Sequence, residues 1–327
     1  MTTIRDVAKL AGVGIGTASR AISGKGSVSL EKRRRIEEAV EMLSFRPSSV
    51  AQSLSSRRLG IIGLLLPKFG SLFWELILAT VEDELRAHGK YFVVATGNGI
   101  AQEKASFEFL LARDCDGILI FSSQITERSL IELEGKFPRV AVINRIVPTI
   151  EEKCFAVDHV EGGRLAARTL LDAGHTEFAV ISGPLHRPDA RQRHEGFLHE
   201  LREAGIRIDT DLIVEGDFTA ERGWRFCDAL LDVKKPFSAL FCANDNMAIS
   251  VLSRLQERGK RVPQDVAVIG YDNLTHSPFL TPPLTSVDTA LEATVRSACR
   301  YLLKVCYGID SEFQRQFRPH VVRRGTV

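Results

Sequence analysis

The chain is short of the features that mark exported, metal-built or catalytic proteins. Its 327 residues hold six cysteines, at 115, 154, 227, 242, 299 and 306, scattered and with no CxxC pair. That spacing argues against a disulfide or zinc framework, and a cysteine inside an apolar run, as Cys242 in ALFCAND, is expected to be a buried reduced thiol. No uncharged apolar run reaches membrane-spanning length, so no membrane partner is expected. The first residues read as a helix cap and not as a basic-then-apolar leader, which gives a cytoplasmic expectation. Gly12-Val13-Gly14-Ile15-Gly16 departs from GxGxxG and would follow a helix, against a dinucleotide fingerprint. His194-Glu195 and His199 miss the zincin spacing, since residues at i and i+5 point about 140° apart on a helix and cannot share a metal. Asp158-His159 could suggest acid–base work, but no nucleophile elbow or phosphate loop accompanies it. The expectation is no catalytic residue, no metal and no cofactor. No internal repeat or low-complexity segment is present.

What the sequence does have begins at its N-terminus. Thr3 is suited to cap a helix, with Asp6 three positions on. Ile4, Val7, Ala8 and Ala11 then make one apolar helical face. Gly12 suits the left-handed position that ends such a helix. A second helix begins near Ile15 and buries Ala18, Ala21 and Ile22, showing Gly16, Thr17, Ser19 and Arg20 on its other face. Ser29 can cap a third, with Ile36, Ala39, Val40 and Leu43 apolar. Two short helices joined by a glycine turn, with a third behind, form a helix-turn-helix pattern. Thr17 and Ser19 are small hydroxyl residues suited to phosphate oxygens, and Arg20 is a bidentate donor for a guanine edge. A solvated helix face is the alternative reading.

Charge favours nucleic acid. Residues 1–60 hold 11 Lys and Arg against 5 Asp and Glu, whereas the whole chain is only +2 and the remainder therefore net acidic. Such asymmetry is the footprint of a nucleic-acid module. The run Lys32 to Arg35 is expected to give phosphate contacts from at least one member. The segment after Pro47, SSVAQSLSSRR, is polar and coreless, as a flexible linker would be. Val50, Ala51 and Leu54 nevertheless make one apolar stripe of a two-turn helix, which needs a partner to form.

From residue 60 onward, apolar runs alternate with amphipathic stretches. Strands are expected at GIIGLLLP from Gly60, YFVVATG from Tyr91, GILIFSS from Gly117 and RVAVINR from Arg139. Others are expected at EFAVISG from Glu177, ALFCAND from Ala239 and DVAVIGYD from Asp265. Helical periods such as Glu75 to His88 and Gly162 to Ala173 lie between them. Continuous β-branched strands separated by helices indicate doubly wound parallel sheets, and seven or more such units suggest two α/β subdomains. Ligands in such sheets bind at the carboxyl ends of strands. Polar residues there are Asn144-Arg145, Asp158, Asn244-Asp245 and Asp272-Asn273. They could bind polyol hydroxyls or cap helices, capping being a serious competitor for Asp245.

IRDVAKLAGVGIGTASRAISG followed by FRPSSVAQSL closely resembles the headpiece of the lactose-repressor/galactose-repressor family of bacterial transcription regulators. GHTEFAVISGP, RQRHEGF, CANDNMAI, VIGYDN and PPLTSV extend the resemblance into a core similar to a periplasmic sugar-binding protein. The resemblance implies a headpiece over 1–46 and a hinge helix over 47–58. It implies two effector-core subdomains, 59–158 with 289–318 and 159–288 with 319–327, the chain crossing near Asp158, Asp288 and Arg318. It implies DNA contacts from Thr3, Ile15, Gly16, Thr17, Ser19, Arg20 and Ser29, with Val50, Ala51 and Leu54 entering the minor groove, Leu54 as a wedge. Gly14 replaces the family's usual serine cap and Ala18 its usual valine, and Gly16 offers no side chain to a base. For the effector, it implies Phe73, Trp74, Phe218, Arg193, Asn244 and Asp272, and Asn144 and Arg145 through VINRIVP, which is closest to the galactose-repressor branch. Packing is the alternative use of Phe73 and Trp74. The implied partners are pseudo-palindromic operator DNA and a small effector, a sugar by this branch, although the family also binds purines and phosphorylated sugars. With no leucine heptad tail after VVRRGTV, a homodimer is expected.

Overall fold

The computed structural model describes residues 2–23, 27–45, 58–122 and 124–327. The expected hinge residues Val50, Ala51 and Leu54 lie outside the described residues. Two compact units are present, residues 1–59 and 60–327.

The first unit is three helices, α1 (Ile4–Leu10), α2 (Ile15–Ser23) and α3 (Leu30–Met42). Val7, Ala11, Ala18, Ile36 and Ala39 form its buried centre, as the apolar spacing requires. At the start of α1 the Asp6 carboxylate accepts from the Thr3 N–H and from the Thr3 hydroxyl, each at 2.8 Å. Gly12 takes φ +63° just past the helix end, the conformation that glycine adopts without steric cost. Ser29 sits at the N-cap of α3, but its exposed hydroxyl makes no capping bond. Arg35 is committed to the fold and not to solvent. Its Nε donates to the Ala11 carbonyl at 3.0 Å and its guanidinium reaches the Gly12 carbonyl at 3.2 Å, closing the orphan end of α1.

The second unit holds two sheets. One comprises β1 (Ile61–Leu66), β2 (Tyr91–Thr96), β3 (Gly117–Ile120), β4 (Val140–Ile143), β5 (Cys154–Val157) and β11 (Gln316–Phe317), in the order β11-β5-β4-β3-β1-β2. The other comprises β6 (Phe178–Ser182), β7 (Ile213–Glu215), β8 (Ala239–Cys242), β9 (Ala267–Tyr271), β10 (Thr285–Asp288) and β12 (His320–Val322), in the order β12-β10-β9-β8-β6-β7. Every pairing is parallel except β10 with β12. All seven strands expected from apolar runs are present. Of the five missed, β7, β11 and β12 have only two or three residues, whereas β5 and β10 have four, as β3, β4 and β8 do.

Both faces of each sheet are covered, which is why its strands read as unbroken apolar runs. In β1, Ile62, Leu64 and Leu66 face one apolar layer while Leu65 faces the other. The first layer is closed by α4 (Leu72–Arg86) and α11 (Leu291–Tyr307), and the second by α5 (Ile100–Ala112) and α6 (Glu127–Lys136). Around the other sheet lie α7 (His159–Asp172), α8 (Pro188–Glu203), α9 (Ala220–Asp232) and α10 (Asp245–Glu257). The approach of α7 to α8 depends on glycine. A Cβ at Gly163 would lie 2.1 Å from the Arg193 carbonyl oxygen, and one at Gly196 would lie 2.1 Å from that of Val160. This contact sets the position of Asp189 and Arg193 on α8. The chain passes between sheets three times: after β5, between β10 and α11, and between β11 and β12.

Candidate functional site

A cavity of about 1090 Å³ opens in the second unit where elements of both sheets meet. From the first sheet come the loop after β1 and the start of α4; from the other come the carboxyl ends of β6, β7, β8 and β9 and the start of α8. Its size is at the upper end for small-molecule sites. Phe73, Trp74, Arg193, Phe218, Asn244 and Asp272 all line it.

Phe73 and Trp74 meet edge-to-face with ring centroids 5.0 Å apart, and each also meets Phe121, at 6.0 and 5.4 Å. Trp74 is buried in the core as well, so the packing reading and the wall reading both apply to it. Across the cavity Phe218 holds a positive φ of 69°, its carbonyl accepting from the Asn244 amide at 3.1 Å. The other side-chain atom of Asn244, Oδ1, accepts from the Met247 N–H at 3.0 Å and caps α10. Asn244 is therefore a cap and a cavity residue at once.

Asp245, the competing cap, has a different task. Wholly buried, it accepts from Leu274 N–H at 2.8 Å and from the Ser277 and Ser286 hydroxyls at 2.6 Å each. It thus fastens the loop that follows Asp272. Burial raises its carboxyl to about 6, against the pull of the three donors.

Arg193 and Asp272 form the floor. Their NH1 and Oδ1 lie 3.1 Å apart, both side chains nearly sealed from solvent. Arg193 NH1 also donates to the Ala243 carbonyl at 2.8 Å, and its guanidinium stacks 4.0 Å from the Tyr271 ring centroid. Arg193 Nε and Asp272 Oδ1 lack an aligned hydrogen bond among the described residues. Burial lifts the Asp272 carboxyl to about 7, with Arg193 pulling the other way.

Asn144 and Arg145 do not line the cavity. Arg145 is spent on the Ile125 carbonyl at 2.7 Å and on Glu127 at 3.8 Å. Asn144, at φ +67°, joins a chain of hydrogen bonds whose direction is set by its carboxylate end. Its Nδ2 donates to Asp189 Oδ2 at 3.3 Å, so its Oδ1 accepts from His159 Nε2 at 2.8 Å. His159 Nδ1 then accepts from the Tyr271 hydroxyl at 3.1 Å. This requires a neutral imidazole. Burial, helped by Arg193, pushes the His159 pKa down to about 3, in agreement with that tautomer.

Sequence reasoning missed Arg187 and Asp189, which line the cavity and pair with each other. Arg187 Nε and NH2 meet the two carboxylate oxygens at 3.1 and 2.9 Å. Burial pushes the Asp189 carboxyl up, but the Arg187 and Arg193 guanidiniums outweigh it and hold the pKa well below the usual range. In the sequence Pro188-Asp189 looks like an ordinary helix start, and nothing local points to the cavity. Asp158 caps α7 through Glu161 N–H at 2.9 Å.

In the headpiece, Ile15, Gly16, Ser19 and Arg20 lie on the exposed face of α2, and Thr17 is half-buried. The Arg20 Nε donates to the Gly16 carbonyl at 3.2 Å. Thr3 and Ser29 are exposed at the starts of α1 and α3. Gly14 carries no capping side chain, and its carbonyl accepts from Thr17 and Ala18 N–H at 2.9 and 3.0 Å, so α2 still starts at Ile15. Among the described residues no cluster could hold a metal ion and no helix is long and apolar enough to cross a membrane.

Comparison with known proteins agrees with both units. Residues 3–48 match the model for bacterial regulatory proteins of the lacI family, and residues 167–327 match the periplasmic binding protein-like domain. The chain is 33% identical over its whole length, and over 99% of the relative, to the HTH-type transcriptional repressor PurR of Vibrio atlanticus. Among solved structures, a lac repressor dimer bound to operator and an anti-inducer superposes with a TM-score of 0.87 at 27% identity, covering 99% of this chain and 98% of that one. The transcriptional regulator CelR in complex with cellobiose superposes with a TM-score of 0.71 at 30% identity, both chains being covered completely. A helix-turn-helix unit, a two-sheet α/β core and full-length similarity to repressors agree: the chain belongs to the lacI family of bacterial regulatory proteins, DNA-binding transcription regulators controlled by a small effector.

Proposed function

We propose that the chain is a homodimeric repressor of a carbohydrate-utilisation operon, acting in the cytoplasm without catalysis, metal or cofactor. Ile15, Gly16, Thr17, Ser19 and Arg20, with Thr3 and Ser29, contact a pseudo-palindromic operator, and Val50, Ala51 and Leu54 of the 47–58 segment enter its central minor groove. Subdomains 59–158 with 289–318 and 159–288 with 319–327 enclose a sugar-like effector. The observation that carries this reading is the cavity between the two sheets, with aromatic side chains on one wall and a buried arginine–aspartate pair on its floor. Hydroxyl-rich rings need both surfaces: an apolar face for stacking, and fixed donors and acceptors for the rim. The cellobiose held by the similar CelR supports the sugar reading. Control requires that the effector bind the DNA-competent and DNA-free states with different affinity.

Mobility shift on the upstream region of the neighbouring gene tests the DNA half. Binding lost in Arg20→Ala with Leu54→Ala supports it, and retention of full affinity defeats it. A thermal-shift screen of neutral sugars tests the other half: stabilisation growing with concentration and abolished in Asp272→Ala is the expected result.

A further inference from the structure

We propose that Asp189 is a specificity-determining residue that closes this cavity to anions, so that its effector is a neutral polyhydroxylated molecule with no phosphate or carboxylate. The inference rests on the cavity being the effector site and narrows what that site accepts.

Three permanent cations line the cavity: Lys68, Arg187 and Arg193. Five carboxylates face them, from Glu75, Glu82, Asp189, Asp217 and Asp272. Among the lining residues carboxylates outnumber these cations even with Asp272, which burial raises to about 7, only partly ionised. Lys68 is exposed, where solvent and salt screen it. The two guanidiniums, which are the groups suited to a bidentate grip on phosphate, are already engaged. Arg187 gives both arms of its fork to Asp189. Arg193 is divided between Asp272, the Ala243 carbonyl and the Tyr271 ring.

Asp189 is not a loose counter-ion that a ligand could push aside. It is 8% exposed and is gripped from behind by Asn144, which is oriented by His159, itself tied to Tyr271. The relay uses a neutral imidazole, so no extra positive charge stands behind the carboxylate. An incoming phosphate would have to displace an internal carboxylate that stays ionised at neutral pH, in a site where charge is poorly screened. Neutral hydroxyls face no such competition, because they can donate to carboxylate lone pairs left free while Arg187 and Arg193 stay paired.

The test measures thermal shift and calorimetric affinity for inorganic phosphate, glucose 6-phosphate and a panel of neutral mono- and disaccharides. Wild type is compared with Asp189→Asn and with Asp189→Asn combined with Arg187→Ala. Asparagine preserves shape and releases the Arg187 charge. Wild type is expected to ignore both anions; Asp189→Asn should bind glucose 6-phosphate on the order of tenfold more tightly than wild type, and the double variant should lose the gain. Asn144→Ala, which only loosens the carboxylate, should shift anion binding in the same direction by less. It decides the matter should Asp189→Asn fail to fold. Anion binding by wild type that Arg187→Ala removes overturns the proposal, as does a folded Asp189→Asn with no gain. Silence of every neutral sugar on wild type would count against the sugar reading, while the anion gain in Asp189→Asn would still decide this one.

Discussion

The two halves of the core share a six-stranded sheet order and covered faces, yet they bury polar groups for different ends. Around the first sheet, Glu84 receives Arg296 and Arg300 at 2.9 and 2.8 Å, Glu103 accepts from Ser122 at 2.6 Å and Ile125 N–H at 3.1 Å, and Asp116 accepts from Tyr307 at 2.8 Å. Each of these fastens one element to another away from the cavity. Around the other sheet, Asp189, Arg193, Asn244 and Asp272 converge on the cavity itself. The first half supplies the Phe73–Trp74 wall, and the other supplies Phe218 and a polar floor. A doubly wound sheet thus fixes where a ligand can sit, and the choice of buried polar groups decides which half reads it.

That division can be broken most sharply at Arg193. Arg193→Ala leaves Asp272 buried without its counter-charge and should cost about 4 kcal/mol of unfolding free energy, measured by denaturant titration. A loss within experimental error would mean that the floor is not a coupled pair. Trp74→Ala should follow at about 3 kcal/mol through the cavity left in the first half's core. If the wall is separate from the floor, its effect on stability should add to that of a floor variant within a few tenths of a kcal/mol.

A subtler difference lies in pH. Burial raises the Asp245 carboxyl from 3.8 to about 6, so the folded chain binds this proton more readily than the unfolded one. Its contribution to stability is full below the lower value and is lost as pH rises through the upper one. The advantage of wild type over Asp245→Asn in melting temperature should therefore shrink between pH 4 and 7, and an advantage that grows would refute the assignment. Thr219→Ala should have the smallest effect, about 1 kcal/mol, by removing the cap that accepts from Arg222 N–H at the start of α9. A larger loss would show that the cavity edge depends on Thr219 for more than helix capping.

How much of this was legible depended on whether the signal was local. The long strands were readable because being covered on both faces forces an unbroken apolar run, as in β1 and β9. Strands β7, β11 and β12, of two or three residues, carry no such pattern. The three headpiece helices followed from apolar spacing and from Gly12. Six of the eight residues assigned to the effector line the cavity, and those assignments came from the family resemblance. The other two show its limit. Asn144 stands at a strand end, as a ligand-binding residue would, yet a left-handed backbone turns its amide toward His159 and Asp189. Those partners are 15 and 45 residues away. No local pattern reports a contact of that range. Asp245 likewise looked like a cap because it opens a helix, and only the fold shows that Asn244 does the capping.

On the exposed face of α2, a Cβ built at Gly16 would meet nothing within 4 Å among the described residues, and the backbone there is not in the left-handed region. Replacing glycine within a helix commonly adds about 0.5–1 kcal/mol of stability. The position is accordingly open to mutational drift: a lineage could try many side chains there with no penalty to folding. Under the DNA-contacting role proposed for that face, new binding preferences are within reach of single codon changes, while the remainder of the headpiece stays as it is.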